Sequence, residues 1–264
     1  MIKPQPTARS PGHLATVIAI GVLAATVATL CHETIGHGLS CVASGGHITL
    51  LTSIWFRCSE WNSMTSLGGP IGNLAAGLLA VLLLNRLRPG PHMRLFLLMP
   101  AALNLYWFMG QLAFDSVKNS DDWHFTALIM RWPPSWKMVG AFIGIGGYVL
   151  VSRVLLANLR ERRSPSACAI ALAYVAAAGS AVVAGLLWRP EPWGSAFEGF
   201  KTLGITPVAM LYIAWRAGRD VGSKTHEDPV PPSWHWIAGC ALVFGVFLYA
   251  QATGVGSMAA SGLP

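Results

Sequence analysis

Apolar windows of about twenty residues, separated by short polar joints, set the coarse pattern of this chain. They fall at roughly 14–40, 67–85, 95–114, 138–157, 166–188 and 235–252. Each approaches the ~20 residues a helix needs to cross the hydrocarbon core of a bilayer. A weaker window, "TLGITPVAMLYIAW" at 202–215, is a candidate seventh. The pattern predicts an all-α fold, a polytopic transmembrane helix bundle of six or seven helices. It forms a single membrane domain over 14–264, with a candidate metal-site core at 14–131 and additional helices at 132–264. Residues 1–13, polar and proline-containing, are expected to be disordered. After the first window the period changes. "HITLLTSIWFRC" at 47–58 is rich in Ile, Thr, Trp and Phe, which predicts a short interfacial β hairpin, with an aromatic belt as the competing reading. "GGPIGNLAAGLL" opens the second window, with Pro70 suited to a first helical turn and Gly72, Ala75, Ala76 and Gly77 small enough for close packing.

Composition agrees with the windows. Of 264 residues 53% are hydrophobic and 11% charged, against about 25% charged in a soluble domain. Membrane lipid is therefore the expected surrounding. The formal charge of +7 sits in short loops rather than one stripe, so nucleic acid is not an expected partner. Counting alternate sides across seven helices puts two thirds of the 18 Lys and Arg residues on the N-terminal side, which predicts a cytoplasmic N-terminus. Among five cysteines, Cys41 and Cys58 share one loop and are a candidate disulfide pair if that loop faces an oxidising compartment.

One stretch breaks the apolar pattern at depth. "CHETIGHGLS" at 31–40 carries His32, Glu33 and His37, and no Asp, Glu, Lys or Arg occurs in 14–31 before it. Ionisable groups in a membrane segment are costly and tend to be functional. The bland alternatives are an interfacial polar cluster at a helix end, or a Glu33–His37 pair four residues apart on a regular helix. Alternating traverses place the end of helix one, the start of helix two and the joint after helix three on one side. The polar features at 32–37, 69–73 and 119–124 therefore converge.

A hydrolytic zinc site uses three protein ligands and leaves a fourth position for water, with a carboxylate nearby to take its proton. The helical device for this is H-E-x-x-H, whose four-residue spacing puts both imidazoles on one face. Here the order is His32-Glu33-Thr34-Ile35-Gly36-His37. Five steps of about 100° turn the second ring roughly 140° away in a regular helix. A π-bulge absorbs one extra residue, and Gly36 eases it, so a local widening around Thr34–Gly36 is expected. The spaced form resembles the zinc helix of the dipeptidyl peptidase III family over those six residues alone.

A wider resemblance, over roughly residues 28–125, is to the membrane-embedded zinc metallopeptidases of the site-2 protease class, in a small bacterial branch. Gly69-Pro70-Ile71-Gly72-Asn73 matches the G-P-x-x-N element of that class. The resemblance implies an integral protein of a bacterial inner membrane that hydrolyses a peptide or transmembrane protein substrate. It implies Zn2+ on His32 and His37, Glu33 as general base, and Gly69, Pro70 and Asn73 on the substrate side. For the third ligand it points to Asp122 in "NSDDWH", with Asp121, His124 and Asp115 as alternatives; the L-D-G context of the class is absent. Two other functions stay open on sequence. One is a non-catalytic metal- or haem-binding membrane protein, and the other a structural or regulatory multispanning protein.

Overall fold

The computed structural model describes residues 11–87, 89–160, 165–220 and 229–257. The first traverse is a continuous rod of 33 residues made of α1 (Pro11–Thr29), the π-helical stretch π1 (Leu30–Gly38) and α2 (Leu39–Ala43). A two-stranded antiparallel hairpin follows, β1 (Ile48–Leu51) and β2 (Phe56–Cys58). Then come α3 (Ser63–Leu87), α4 (Pro91–Lys118), the short α5 (Asp121–Ile129), α6 (Trp136–Arg160) and α7 (Ala167–Leu186). The chain ends in α8 (Pro192–Phe200), π2 (Lys201–Ile205), α9 (Ala209–Asp220) and α10 (Trp234–Thr253). Among the described residues, six helices are long and apolar enough to cross a membrane, as the window pattern predicts. The hairpin lies where the Ile, Thr and aromatic-rich stretch placed it.

Two starts differ from the sequence reading. Helix α1 begins at Pro11, so 11–13 are helical where disorder was expected; residues 1–10 lie outside the described residues. Proline suits a first helical position, where its missing N–H leaves nothing unpaired. The turn is further held by Thr16 Oγ, which donates to Gly12 O at 2.8 Å and accepts from Ser233 N–H at 2.9 Å. Helix α3 starts at Ser63, so Pro70 lies inside it rather than in its first turn. The signal is Asn62, whose Oδ1 accepts the Thr65 N–H at 3.0 Å and satisfies an otherwise orphaned donor.

The weak window at 202–215 is not a single helix. Its residues fall in π2 and α9, separated at 206–208. Pro207 has no N–H to continue the ladder. Yet 192–220 as a whole runs back along α7. Gly185 abuts Ser195, Gly199 abuts Ala181, Tyr174 OH donates to Gly204 O at 2.5 Å, and Gly218 faces Ala167. Among the described residues, 192–220 thus forms a broken antiparallel pass beside the six long helices.

Chain ends confirm the alternation. Near the start of α1, His13 Nδ1 lies 2.5 Å from Val230 O just before α10. At the other end Trp55 Nε1 donates to Ser195 Oγ at 2.7 Å, and Gln251 near the end of α10 accepts from Ser53 N–H. Of the positive residues assigned to the N-terminal side, Lys3, Arg9, Arg88, Arg162, Arg163 and Lys224 lie outside the described residues.

Helix α4 is the centre of the bundle. Leu95, Leu98, Met99, Leu103 and Tyr106 are fully buried within it, and α1, α3 and α6 pack around it. Outward, Ile71, Leu78, Phe142, Ile145, Leu242 and Val246 stay exposed on the long helices. Such a rim of apolar side chains on long helices is what lipid contact requires.

Candidate metal centre

His32 and His37 converge because π1 closes its hydrogen bonds one residue further along than an α-helix does. With i→i+5 closure, positions five apart become neighbours, and the 140° divergence disappears. The two Nε2 atoms lie 3.2 Å apart and the rings meet edge to face, 4.8 Å between centroids. The expected widening around 34–36 is present and extends over all nine residues of Leu30–Gly38.

Glycines on two elements permit this geometry. A Cβ at Gly36 would overlap the Gly68 carbonyl and Gly69 Cα, and one at Gly68 would overlap the Gly36 carbonyl in return. Gly72 faces the Cys31 carbonyl in the same way. Helix α3 therefore touches π1 backbone to backbone, the close approach that small residues allow between membrane helices. Gly69 goes further: a Cβ there would run into Nε2 of both histidines. The structure thus places Gly69 in the wall of the imidazole pair, with Pro70 buried beside it in α3.

The third group comes from α5. Asn119 ends α4 in the left-handed conformation at φ 57°, and Asp121 also has positive φ, 70°. This double reversal turns the chain so that Asp122 points back into the bundle. Its Oδ2 lies 3.2 Å from His32 Nε2 and its Oδ1 3.4 Å from His37 Nε2. All three side chains are buried, and their ligand atoms lie within 4.8 Å of one another.

Of the other candidates, Asp121 pairs with Lys201 Nζ at 3.3 Å, away from the imidazoles. Asp115 Oδ2 accepts the Trp123 N–H at 3.1 Å and so caps α5, a task the Ser120 side chain does not perform. His124 joins no such group among the described residues.

Supporting hydrogen bonds decide which nitrogen each ring presents. His37 Nδ1–H donates to the Thr65 carbonyl at 2.7 Å, which leaves Nε2 with its lone pair facing His32 and Asp122. His32 Nδ1 lies 2.9 Å from Asn73 Nδ2, while Asn73 Oδ1 is buried without a partner. In that arrangement the amide donates to Nδ1, and the ring proton sits on Nε2 toward Asp122. Rotating the Asn73 amide by half a turn pairs Oδ1 with Nδ1–H and frees Nε2 to bind a cation.

Gln111 Nε2 donates to Asp122 Oδ2 at 2.9 Å, and Ser66 Oγ donates to the Asp122 carbonyl at 3.0 Å. Trp107 stacks on His32 at 4.2 Å and Phe56 on His37 at 5.2 Å, so both rings are held in place and shielded from water. Burial alone would raise the Asp122 carboxyl, but the two imidazoles beside it outweigh that and hold it below the usual carboxylate range.

Glu33 follows His32 directly and is only 4% exposed. It lines a separate cavity of about 350 Å³ between π1, β1 and α10, with Thr29, Thr34, Leu51, Thr52 and Gln251. The residues to which sequence reasoning gave no role are Thr65, Trp107, Gln111 and Phe56. Gln111 carried a readable signal, a lone amide inside the apolar run "FMGQLAF". Thr65 acts through its main chain and carried none.

The buried donor set suits a metal ion. It offers two imidazole nitrogens and a carboxylate, each oriented by a second polar group. Comparison with protein-family models, curated proteins and solved structures found no match to this chain.

Proposed function

We propose that this chain is a membrane-embedded zinc-dependent peptidase, resembling the site-2 protease class, that hydrolyses a peptide or membrane-protein segment. The observation that carries the reading is the π-helical turn. It brings His32 and His37 together against Asp122 while Glu33, the next residue, lines an apolar cavity.

His32, His37 and Asp122 would hold the ion. Zinc bound there would supply a Lewis acid that polarises a carbonyl and acidifies water toward neutral pH. The chain's own groups supply the rest. Glu33, adjacent in sequence to a ligand and shielded from bulk solvent, takes a proton from the attacking water and returns it to the leaving amine. Asn73 and Thr65 fix the ring orientations, and Gln111 fixes the carboxylate. The threonine- and leucine-lined cavity has room for an apolar segment beside Glu33.

Zinc is favoured by a mixed nitrogen and oxygen set of three protein ligands. Haem fits less well. Its two axial imidazoles stand on opposite faces of a flat macrocycle, whereas these nitrogens lie 3.2 Å apart with one carboxylate against both.

The test is metal analysis of protein purified without added chelator, together with cleavage of a panel of membrane-protein fragments. Wild type is expected to carry one equivalent of zinc, His37→Ala to lose it, and Glu33→Gln to keep it while cleaving nothing. Absence of metal from wild type, or full cleavage by Glu33→Gln, would sink the reading.

A further inference from the structure

Strand β1 has two edges. One pairs with β2, with Leu50 opposite Arg57 and Leu51 opposite Phe56. The other does not face solvent or lipid unpaired, because the chain returns to cover it after α10. Leu51 N–H donates to Val255 O at 2.7 Å and Val255 N–H to Leu51 O at 3.0 Å, a single antiparallel bridge. Two residues on, Ser53 N–H is taken by Gln251 Oε1. The Leu51 and Ser53 donors are therefore both satisfied from the C-terminal segment.

We infer that Gly254–Gly256 is a built-in occupant of the place an extended apolar peptide takes beside Glu33, so that an incoming segment must displace the chain's own tail. This rests on the peptidase reading of the same site, and it adds a self-blocked state to it.

Three observations carry the inference. First, the segment shares the cavity: Val255 and Gln251 line the same 350 Å³ as Glu33, Thr34, Leu51 and Thr52. Second, its sequence is built to lie flat on the strand. Gly254 and Gly256 have φ of 65° and 125°, conformations costly for any other residue, and a Cβ at Gly256 would strike the Thr49 carbonyl. Third, the hold is slight. Among the described residues it consists of one bridge, one side-chain hydrogen bond and Val255, which remains 48% exposed, at the end of α10, of whose apolar window only 17% is buried.

An amide proton has one good acceptor at a time, so Leu51 cannot pair with Val255 and with an external strand together. The peptide class follows from the occupant: extended, with a small β-branched apolar residue flanked by residues that tolerate close main-chain approach.

The probe is a fluorescein-labelled peptide, QATGVGSM, with the sequence of residues 251–258. It is titrated into full-length protein carrying Glu33→Gln, with and without Gln251→Ala and Val255→Pro, the latter removing the bridging N–H. A tethered competitor acts at an effective concentration of order millimolar, so the clasp variant is expected to bind the peptide at least ~tenfold tighter than the intact clasp. Amide hydrogen exchange at Leu51 and Ser53 should quicken in the variant and slow again when peptide is added.

Equal affinity with and without the clasp, or unchanged exchange at both amides, overturns the inference. Should Val255→Pro not fold, Gln251→Ala alone must shift Ser53 exchange and peptide affinity in the same direction. Zinc content of the same samples separates the two claims. Peptide displacement without metal refutes the peptidase and leaves the occupied edge standing, whereas metal without displacement refutes the occupancy alone.

Discussion

Asn73 holds the most finely balanced atom of the site. Its buried carbonyl oxygen has no partner while its amide nitrogen faces His32 Nδ1, an arrangement that suits a ring protonated on Nε2. Cation binding needs the opposite tautomer, and the amide reaches it by rotating about one bond. Asn73→Leu removes the acceptor and is expected to weaken metal binding by about 10–100-fold, the usual effect of losing a ligand's hydrogen-bond partner. Asn73→Asp, which can only accept from Nδ1–H, should restore or exceed wild-type affinity. A competitive chelator titration distinguishes the two, and equal affinity in all three proteins would refute the role. At this level the sequence exposed His32, Glu33 and His37 because charge is rare in apolar runs. It pointed to Asp122 but left Asp121 open, since neighbours in one polar joint differ only in which way the backbone turns, and the positive φ of Asp121 makes that choice.

The π-helical stretch is stabilised from outside as well as by its own bonds. An extra residue in a turn costs hydrogen-bond geometry, and here the cost is offset by main-chain contact between π1 and α3 at Gly36, Gly68 and Gly72. Gly36→Ala pushes a methyl against the Gly68 carbonyl and Gly69 Cα. It should cost on the order of 1–3 kcal/mol of stability, as overpacking does. More specifically, it should lower metal affinity although no ligand is changed. Thermal unfolding with and without zinc reads both effects, and a stabilisation by zinc equal to that of wild type would show that the contact does not position the histidines. Five-residue spacing and Gly36 made the bulge legible in advance. Its extent over nine residues was not, because the glycines that support it lie on another helix.

The six long helices and the broken pass at 192–220 put the hairpin, the metal centre and the end of α10 at one end of the described residues, and the starts of α1, α4, α7 and α10 at the other. The Cys41–Cys58 disulfide lies at the hairpin end and joins α2 to β2. Disulfides persist on the oxidising side of a membrane, and the count of Lys and Arg along the sequence assigns two thirds of them to the N-terminal side, which suits the cytoplasm. We therefore expect the metal centre to open away from the cytosol. In intact cells an impermeant maleimide should label Ser135→Cys and not Gly90→Cys, in a background lacking the free thiols Cys31, Cys168 and Cys240. Under denaturing, non-reducing conditions wild type should expose three thiols, and all five cysteines after reduction. Labelling at position 90 alone would reverse the orientation.

Period and composition by themselves determined the long apolar helices and the presence of a polar cluster at depth, and left the hairpin as one of two readings beside an aromatic belt. Those features depend on local hydrophobicity, which every stretch of chain carries within itself. Tertiary structure alone decided which carboxylate meets the imidazoles, how 192–220 folds back along α7, and that Val255 closes the edge of β1. The first and last join segments far apart in the chain, and the second folds neighbouring elements onto one another. All are fixed by backbone turns and by space left by glycines, neither of which has a hydrophobic period to read.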